Sequence, residues 1–122
     1  MAKRILAVDD QEDNRRILRD LLTAAGFEVL EAVDGAEAVS QAERHVPDLI
    51  LMDVQLPGMD GYEATRLIKA NPLLKAIPII TVTSFALSGD EGKALEAGSD
   101  FYMAKPFSPR LLLAKVREYL SA

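Results

Sequence analysis

Short apolar runs and longer amphipathic stretches alternate along this chain. Ile5-Leu6-Ala7-Val8, Leu49-Ile50-Leu51-Met52 and residues 77–82 are too short for helices. They also lack the polar alternation of a strand with one wet face, so they suit parallel strands covered on both sides. Residues 27–33 and Phe101-Tyr102-Met103 are weaker strand candidates. The intervening stretches have helical spacing. Residues 14–25 place Ile17, Leu18, Leu21 and Leu22 on one stripe, with Gly26 as the stop after the helix. Residues 35–44 carry Ala36, Ala38, Val39 and Ala42 and end before Pro47. Residues 62–70 carry Ala64, Leu67 and Ile68 and end before Pro72. Residues 88–97 make a poorer helix, because Gly89 and Gly92 each cost about 1 kcal/mol relative to Ala. Ser108-Pro109 reads as an N-cap with proline at the first helical position, opening a helix through Leu112, Leu113, Val116 and Leu120.

Strand and helix therefore alternate five times, which predicts a parallel α/β sheet with helices on both faces and right-handed crossovers. The length of 122 residues fits one domain spanning 1–122, with no repeat or linker. A net charge of −5 argues against a nucleic-acid surface, which needs a basic patch. The absence of cysteine excludes disulfides, thiolate catalysis and cysteine-type zinc sites. No apolar run approaches the roughly 20 residues that span a bilayer. Met1-Ala2-Lys3-Arg4 leads straight into the first strand without signal-peptide architecture, so the expected location is cytoplasmic.

Polar residues sit where such a sheet builds its sites, beyond the carboxyl ends of the strands. Strand one ends at Asp9-Asp10, strand three at Asp53 and strand four at Thr83-Ser84, while strand five is followed by Lys105-Pro106. Carboxylates crowded at one rim are tolerated when a cation sits among them or one is protonated. Hard oxygen donors with room for water and phosphate suit Mg²⁺. A carboxylate is also a nucleophile towards phosphorus. The lysine, a hydroxyl and backbone N–H groups would then stabilise charge on the transferred group. Each residue has a plainer alternative. Asp9, Asp10, Glu12 and Asp13 suit a helix N-terminus, Asp53 a turn before Pro57-Gly58, Thr83 a strand end, and Lys105 a solvated surface. The coincidence at four strand ends favours the site.

In these residues the chain resembles the receiver domains of two-component response regulators. The resemblance runs through Ile5-Leu6-Ala7-Val8-Asp9-Asp10, Pro47-Asp48-Leu49-Ile50-Leu51-Met52-Asp53, Leu56-Pro57-Gly58-Met59-Asp60-Gly61, Pro78-Ile79-Ile80-Thr81-Val82-Thr83, Glu96-Ala97-Gly98-Ser99-Asp100 and Lys105-Pro106-Phe107. It implies a doubly wound (βα)5 fold of the flavodoxin-like, three-layer kind, with a five-stranded sheet ordered 2-1-3-4-5. It also implies that Asp53 is the phosphoacceptor, modified to an aspartyl phosphate. Asp10, Asp53 and the backbone carbonyl of Gln55 would ligate Mg²⁺ or Mn²⁺, with Asp9 helping to hold the metal. Thr83 and Lys105 would contact phosphoryl oxygens, and Tyr102 would be a switch aromatic coupled to Thr83. For Tyr102 plain core packing is the alternative.

The implied donor is a phosphohistidine on a histidine kinase or histidine phosphotransfer protein, chosen through first-helix surface residues such as Asn14, Arg15 and Leu18. The domain would be an enzyme only towards itself, in self-phosphorylation and auto-dephosphorylation. Its output would be a downstream protein bound through the surface around the fourth helix and fifth strand. Neither nucleic acid nor membrane is an expected direct partner, and the expected state is a monomer or a weak, phosphorylation-dependent dimer.

Ser84 stands where the family usually has Ala or Gly. Gln55 and Phe85 flank the expected phosphoryl site, and Phe85 is a candidate shield against water. Phe101 stands where many DNA-binding members carry an acidic residue, and with Phe85 it suggests an apolar patch. The stretch Thr83-Ser84-Phe85-Ala86 looks like single-domain receivers of the cell-cycle type. His45 suits a helix C-terminus rather than a metal site. Three other readings remain. A flavodoxin-like FMN binder would need a Ser/Thr/Gly-rich first loop, where this chain has Asp9-Asp10-Gln11-Glu12-Asp13. A dehalogenase-like phosphatase would need an aspartate where Gln11 stands. A receiver excised from a hybrid kinase or transcription factor fits the same residues as a stand-alone regulator.

Overall fold

Successive residues of a strand point to opposite faces, so a continuous apolar run buries two layers at once. The computed structural model describes residues 2–83 and 90–121. It contains β1 (Arg4–Val8), α1 (Glu12–Ala24), β2 (Glu28–Ala32), α2 (Gly35–His45), β3 (Leu49–Asp53), α3 (Gly61–Ala70), β4 (Ile79–Thr83), α4 (Asp90–Ala97), β5 (Phe101–Ala104) and α5 (Pro109–Leu120). The expectations for Ser84, Phe85, Ala86, Ser88 and Gly89 fall outside the described residues.

Ile5 and Ala7 of β1 enter one core with Leu49, Leu51, Ile80 and Val82, closed by Leu18 and Leu22 of α1 and Leu112 and Val116 of α5. Leu6 and Val8 enter the other with Ile50, Met52 and Ile79, closed by α2 through Ala38 and Ala42 and by α3 through Ala64 and Ile68. The strands pair in parallel in the order β2-β1-β3-β4-β5. The fold is thus the doubly wound, three-layer (βα)5 sandwich. Full burial of each Leu or Ile in these strands stabilises it by about 1.5–3 kcal/mol.

The helix boundaries follow local chemistry. After α1, the Gly26 N–H donates to the Thr23 carbonyl at 3.0 Å and the Phe27 N–H to the Leu22 carbonyl at 3.0 Å. Gly26 has φ +95°, so this is a Schellman stop with Leu22 and Phe27 in the same core. Ser108 caps α5 as expected, accepting from the Leu111 N–H, and Pro109 opens the helix. Asp34 and Asp60 cap α2 and α3 in the same way.

Several boundaries and faces differ from the sequence reading. Strand β4 begins at Ile79; Ile77 is buried from the preceding loop. Strand β2 stops at Ala32, leaving Val33 40% exposed. Ile17 and Leu67 are 55% and 45% exposed, while Arg15 and Thr65 take inward positions on their helices. A helical stripe tolerates such exchanges where the inward polar group finds partners. The Thr65 hydroxyl donates to the Gly61 carbonyl at 2.7 Å. Arg15 likewise finds partners in Glu12, Glu31 and the Asp9 carbonyl.

Candidate functional site

Strand register assembles the site. Ile5, Leu6, Ala7 and Val8 of β1 lie opposite Leu49, Ile50, Leu51 and Met52 of β3. One further step sets Asp9 abreast of Asp53 at the carboxyl edge. Both are buried, 1% and 7% exposed, and Asp10 beside them is exposed. One carboxylate oxygen from each of the three lies within 4.8 Å of the others. The strand after next contributes the cation: Lys105, just beyond β5, places Nζ 2.7 Å from Asp9 Oδ2 and 3.5 Å from Asp53 Oδ2. Its backbone N–H donates to the Thr83 carbonyl at 2.7 Å, and its peptide bond to Pro106 is cis.

Backbone donors hold the carboxylates. Asp53 Oδ1 accepts from the Val54 N–H at 2.8 Å and the Gln55 N–H at 3.4 Å. Asp9 Oδ1 accepts from the Gln11 N–H at 2.9 Å and from Asn14 Nδ2 at 3.5 Å. Gln11 is the N-cap of α1 and makes no side-chain cap bond, so Asp9 supplies a partner at that helix start. A cleft of about 440 Å³ opens above, lined by Asp10, Gln11, Asn14, Asp53, Gln55 and Lys105. Thr83 ends β4 fully buried, one residue beyond Val82, which lies opposite Asp53. Tyr102 is half-buried in β5 opposite Thr81.

Burial pushes the Asp53 carboxyl above its ordinary value; Lys105 opposes this, Asp9 adds to it, and the Val54 and Gln55 N–H groups oppose it. Three carboxylates face one ammonium. That excess of negative charge on hard oxygen donors fits a small divalent cation, with Asp9, Asp10 and Asp53 as the groups able to hold it.

Gly61 makes the close packing possible. A Cβ there would stand 2.0 Å from the Asp53 carbonyl oxygen, and the Gly61 N–H donates to the Val54 carbonyl at 2.9 Å. Its only trace in the sequence is the Met59-Asp60-Gly61 turn before a helix, and close approach is visible only in three dimensions.

Two expectations for the surface change. Arg15 and Leu18 are 8% and 5% exposed, so they do not belong to an exposed first-helix surface; Ile17 and Arg16 face outward instead. The reason is phase: Arg15, Leu18 and Leu22 share the inward stripe. Phe101 is half-buried against the α1/α5 core, with Lys115 Nζ 4.5 Å from its ring centroid.

A doubly wound sheet carrying a lysine-bridged carboxylate cleft at its strand ends is the plan of a receiver. The response regulator receiver domain family matches residues 5–117, and the chain belongs to that family. It is therefore a receiver domain of the two-component response regulator type. It is 41% identical over 120 residues to the polar-differentiation response regulator DivK of Brucella ovis, covering 98% of each chain. It is also similar to a solved putative response regulator from Chloroflexus aurantiacus, with TM-score 0.95, 35% identity and full coverage of both chains. The receiver domain of a sensor histidine kinase from Pseudomonas aeruginosa matches with TM-score 0.93, 38% identity and full coverage of both; that structure has a magnesium ion coordinated in its active-site cleft. No described helix of this chain is long and apolar enough to cross a membrane.

Proposed function

We propose that this domain, spanning 1–122, accepts a phosphoryl group onto Asp53 from a phosphohistidine of a histidine kinase or histidine phosphotransfer protein. The observation that carries the reading is the meeting of Asp9, Asp10 and Asp53 oxygens within 4.8 Å, with Lys105 bridging two of them. An Asp53 oxygen forms the new O–P bond as the N–P bond breaks to the donor imidazole, which is protonated on its other ring nitrogen and so leaves as neutral imidazole. A bound Mg²⁺ or Mn²⁺, held by Asp9, Asp10, Asp53 and the Gln55 carbonyl, would supply charge neutralisation between carboxylates and phosphoryl oxygens. Lys105 pairs with a phosphoryl oxygen, and the Thr83 hydroxyl bonds another. Tyr102, half-buried near the end of β5, is the candidate aromatic that responds to Thr83 and alters the surface of α4 and β5 towards a downstream protein. The chemistry acts on the domain itself, in phosphorylation and later hydrolysis of the acyl phosphate.

A groove of about 400 Å³ lined by Ile17, Leu18, Pro106, Phe107 and Pro109 adjoins the cleft and shares Asp9, Asn14 and Lys105 with it. It suits the phosphodonor protein, with Asn14, Ile17 and Leu18 as candidate contacts, whereas Arg15 does not line it.

Intact-mass spectrometry after incubation with acetyl phosphate and Mg²⁺ tests the reading. One phosphoryl adduct is expected, lost in Asp53→Ala and lost on chelation. An adduct that persists in Asp53→Ala refutes it.

A further inference from the structure

Arg15 is a charged residue in the inward stripe of α1, its side chain 10% exposed. Its Nε donates to Glu31 Oε1 at 3.2 Å, and its Nη2 pairs with Glu12 Oε2. Its Nη1 donates to the backbone carbonyl of Asp9 at 2.7 Å, in a buried bond. Glu31 lies in β2 opposite Ala7 of β1, and it also receives Arg19 Nη1 at 2.9 Å. The guanidinium is thus oriented by carboxylates from two elements, and its remaining edge is aimed at the peptide joining Asp9 to Asp10.

Asp9 is held at both of its backbone groups, and its carbonyl is the one that belongs to that peptide. The Asp9 N–H donates to the Ala32 carbonyl at 3.1 Å, and the Asp9 carbonyl accepts from Arg15. A charge-assisted bond to a carbonyl fixes the plane of the following peptide. The next residue in the chain is the exposed Asp10, whose side-chain direction follows from that plane.

We infer that Arg15 is a positioning residue for divalent-cation binding: it locks the Asp9–Asp10 peptide so that the Asp10 carboxylate faces Asp9 and Asp53. The inference rests on the phosphoacceptor reading of the cleft. Its sign separates it from simple electrostatics. A cationic side chain near a cation site weakens binding by repulsion, so deleting its charge alone would tighten binding. Loss of a lock on a ligand weakens it, by about tenfold for an outer-shell partner.

Calorimetric titration of Mg²⁺ into the unsubstituted protein, Arg15→Met and Arg19→Met provides the test, with thermal melting of each followed by circular dichroism. Arg19→Met removes the same charge and also loses a Glu31 bond, but Arg19 makes no bond to the Asp9 carbonyl. The expected result is binding about tenfold weaker in Arg15→Met and within about twofold of unsubstituted in Arg19→Met. Equal or tighter binding in Arg15→Met, or equal weakening in both variants, overturns the inference. Should Arg15→Met not fold, Arg15→Lys decides: it keeps the charge but cannot hold Glu31 and the Asp9 carbonyl together. Weaker binding there supports the lock, and unchanged binding overturns it. Failure of the unsubstituted protein to bind Mg²⁺ overturns the reading of the cleft itself.

Discussion

Two lysine–carboxylate clusters stand at opposite ends of the sheet, and they are built differently. At the amino-terminal end, Lys69 Nζ donates to Asp100 Oδ2 at 2.9 Å and to the carbonyls of Ile77 and Lys75 at 2.7 and 3.1 Å. Asp100 Oδ2 also accepts from the Ile79 N–H at 2.8 Å. All three ammonium donors are used, and one positive charge meets one negative charge. At the carboxyl end, Lys105 faces Asp9 and Asp53, with Asp10 adjoining, so one positive charge meets three negative ones. A saturated cluster fastens the fold, here α3 to the starts of β4 and β5. An unsaturated one stores unfavourable negative charge that a cation can relieve. The same pair of residue types therefore marks a rivet at one end and, in the proposed function, the phosphoacceptor cleft at the other.

The sharpest way to break the comparison is to remove each lysine. Lys105→Met is expected to slow phosphoryl uptake from acetyl phosphate by about a hundredfold or more, measured by time-resolved intact mass. The same variant is expected to bind Mg²⁺ more tightly, since a competing cation is gone; weaker binding would count against Lys105 as the counter-charge. Lys69→Met is expected to leave Mg²⁺ affinity unchanged. It should lower stability by about 1–3 kcal/mol in urea unfolding, because the Asp100 carboxylate and two carbonyls lose a donor while remaining partly solvated. A change in Mg²⁺ affinity would show that the two ends are not independent.

The smallest expected effect concerns pH. The Asp53 carboxyl is raised in the folded protein, chiefly by burial, so the folded state holds its proton more tightly than the unfolded chain. Its protonation therefore contributes stability that is fully present below the ordinary carboxylate value and is lost as pH rises through the raised folded value. In chelator, Asp53→Asn is expected to melt a few degrees above the unsubstituted protein at neutral pH. The gap should narrow on acidification through that window. A gap that stays constant with pH would remove the charge explanation.

The strands, the capping of α5 by Ser108 and Pro109, and the stop at Gly26 were legible because they depend on local periodicity and local backbone preference. The polar strand ends were legible as candidates for the same reason: Asp9-Asp10, Asp53, Thr83 and Lys105 interrupt or follow apolar runs. Arg15 was misread as surface, although its spacing from Leu18 and Leu22 placed it on the inward stripe; a charge there signals a buried partner that the sequence does not name. Gly61 gave less warning, since its function depends on a backbone atom of another element.

By itself the sequence determined an α/β sheet covered on both faces and an acidic rim with one lysine following the last strand. Only the tertiary structure decided that Asp9 stands abreast of Asp53, because parallel register is set by how two sheet faces bury their side chains together. A slip of one residue would have turned every side chain of β1 to the other face. The fold likewise decided the placement of Lys105 within reach of both carboxylates, 96 residues along the chain from Asp9. Charge at a distance in sequence becomes chemistry only when the strand order brings its carriers to one edge.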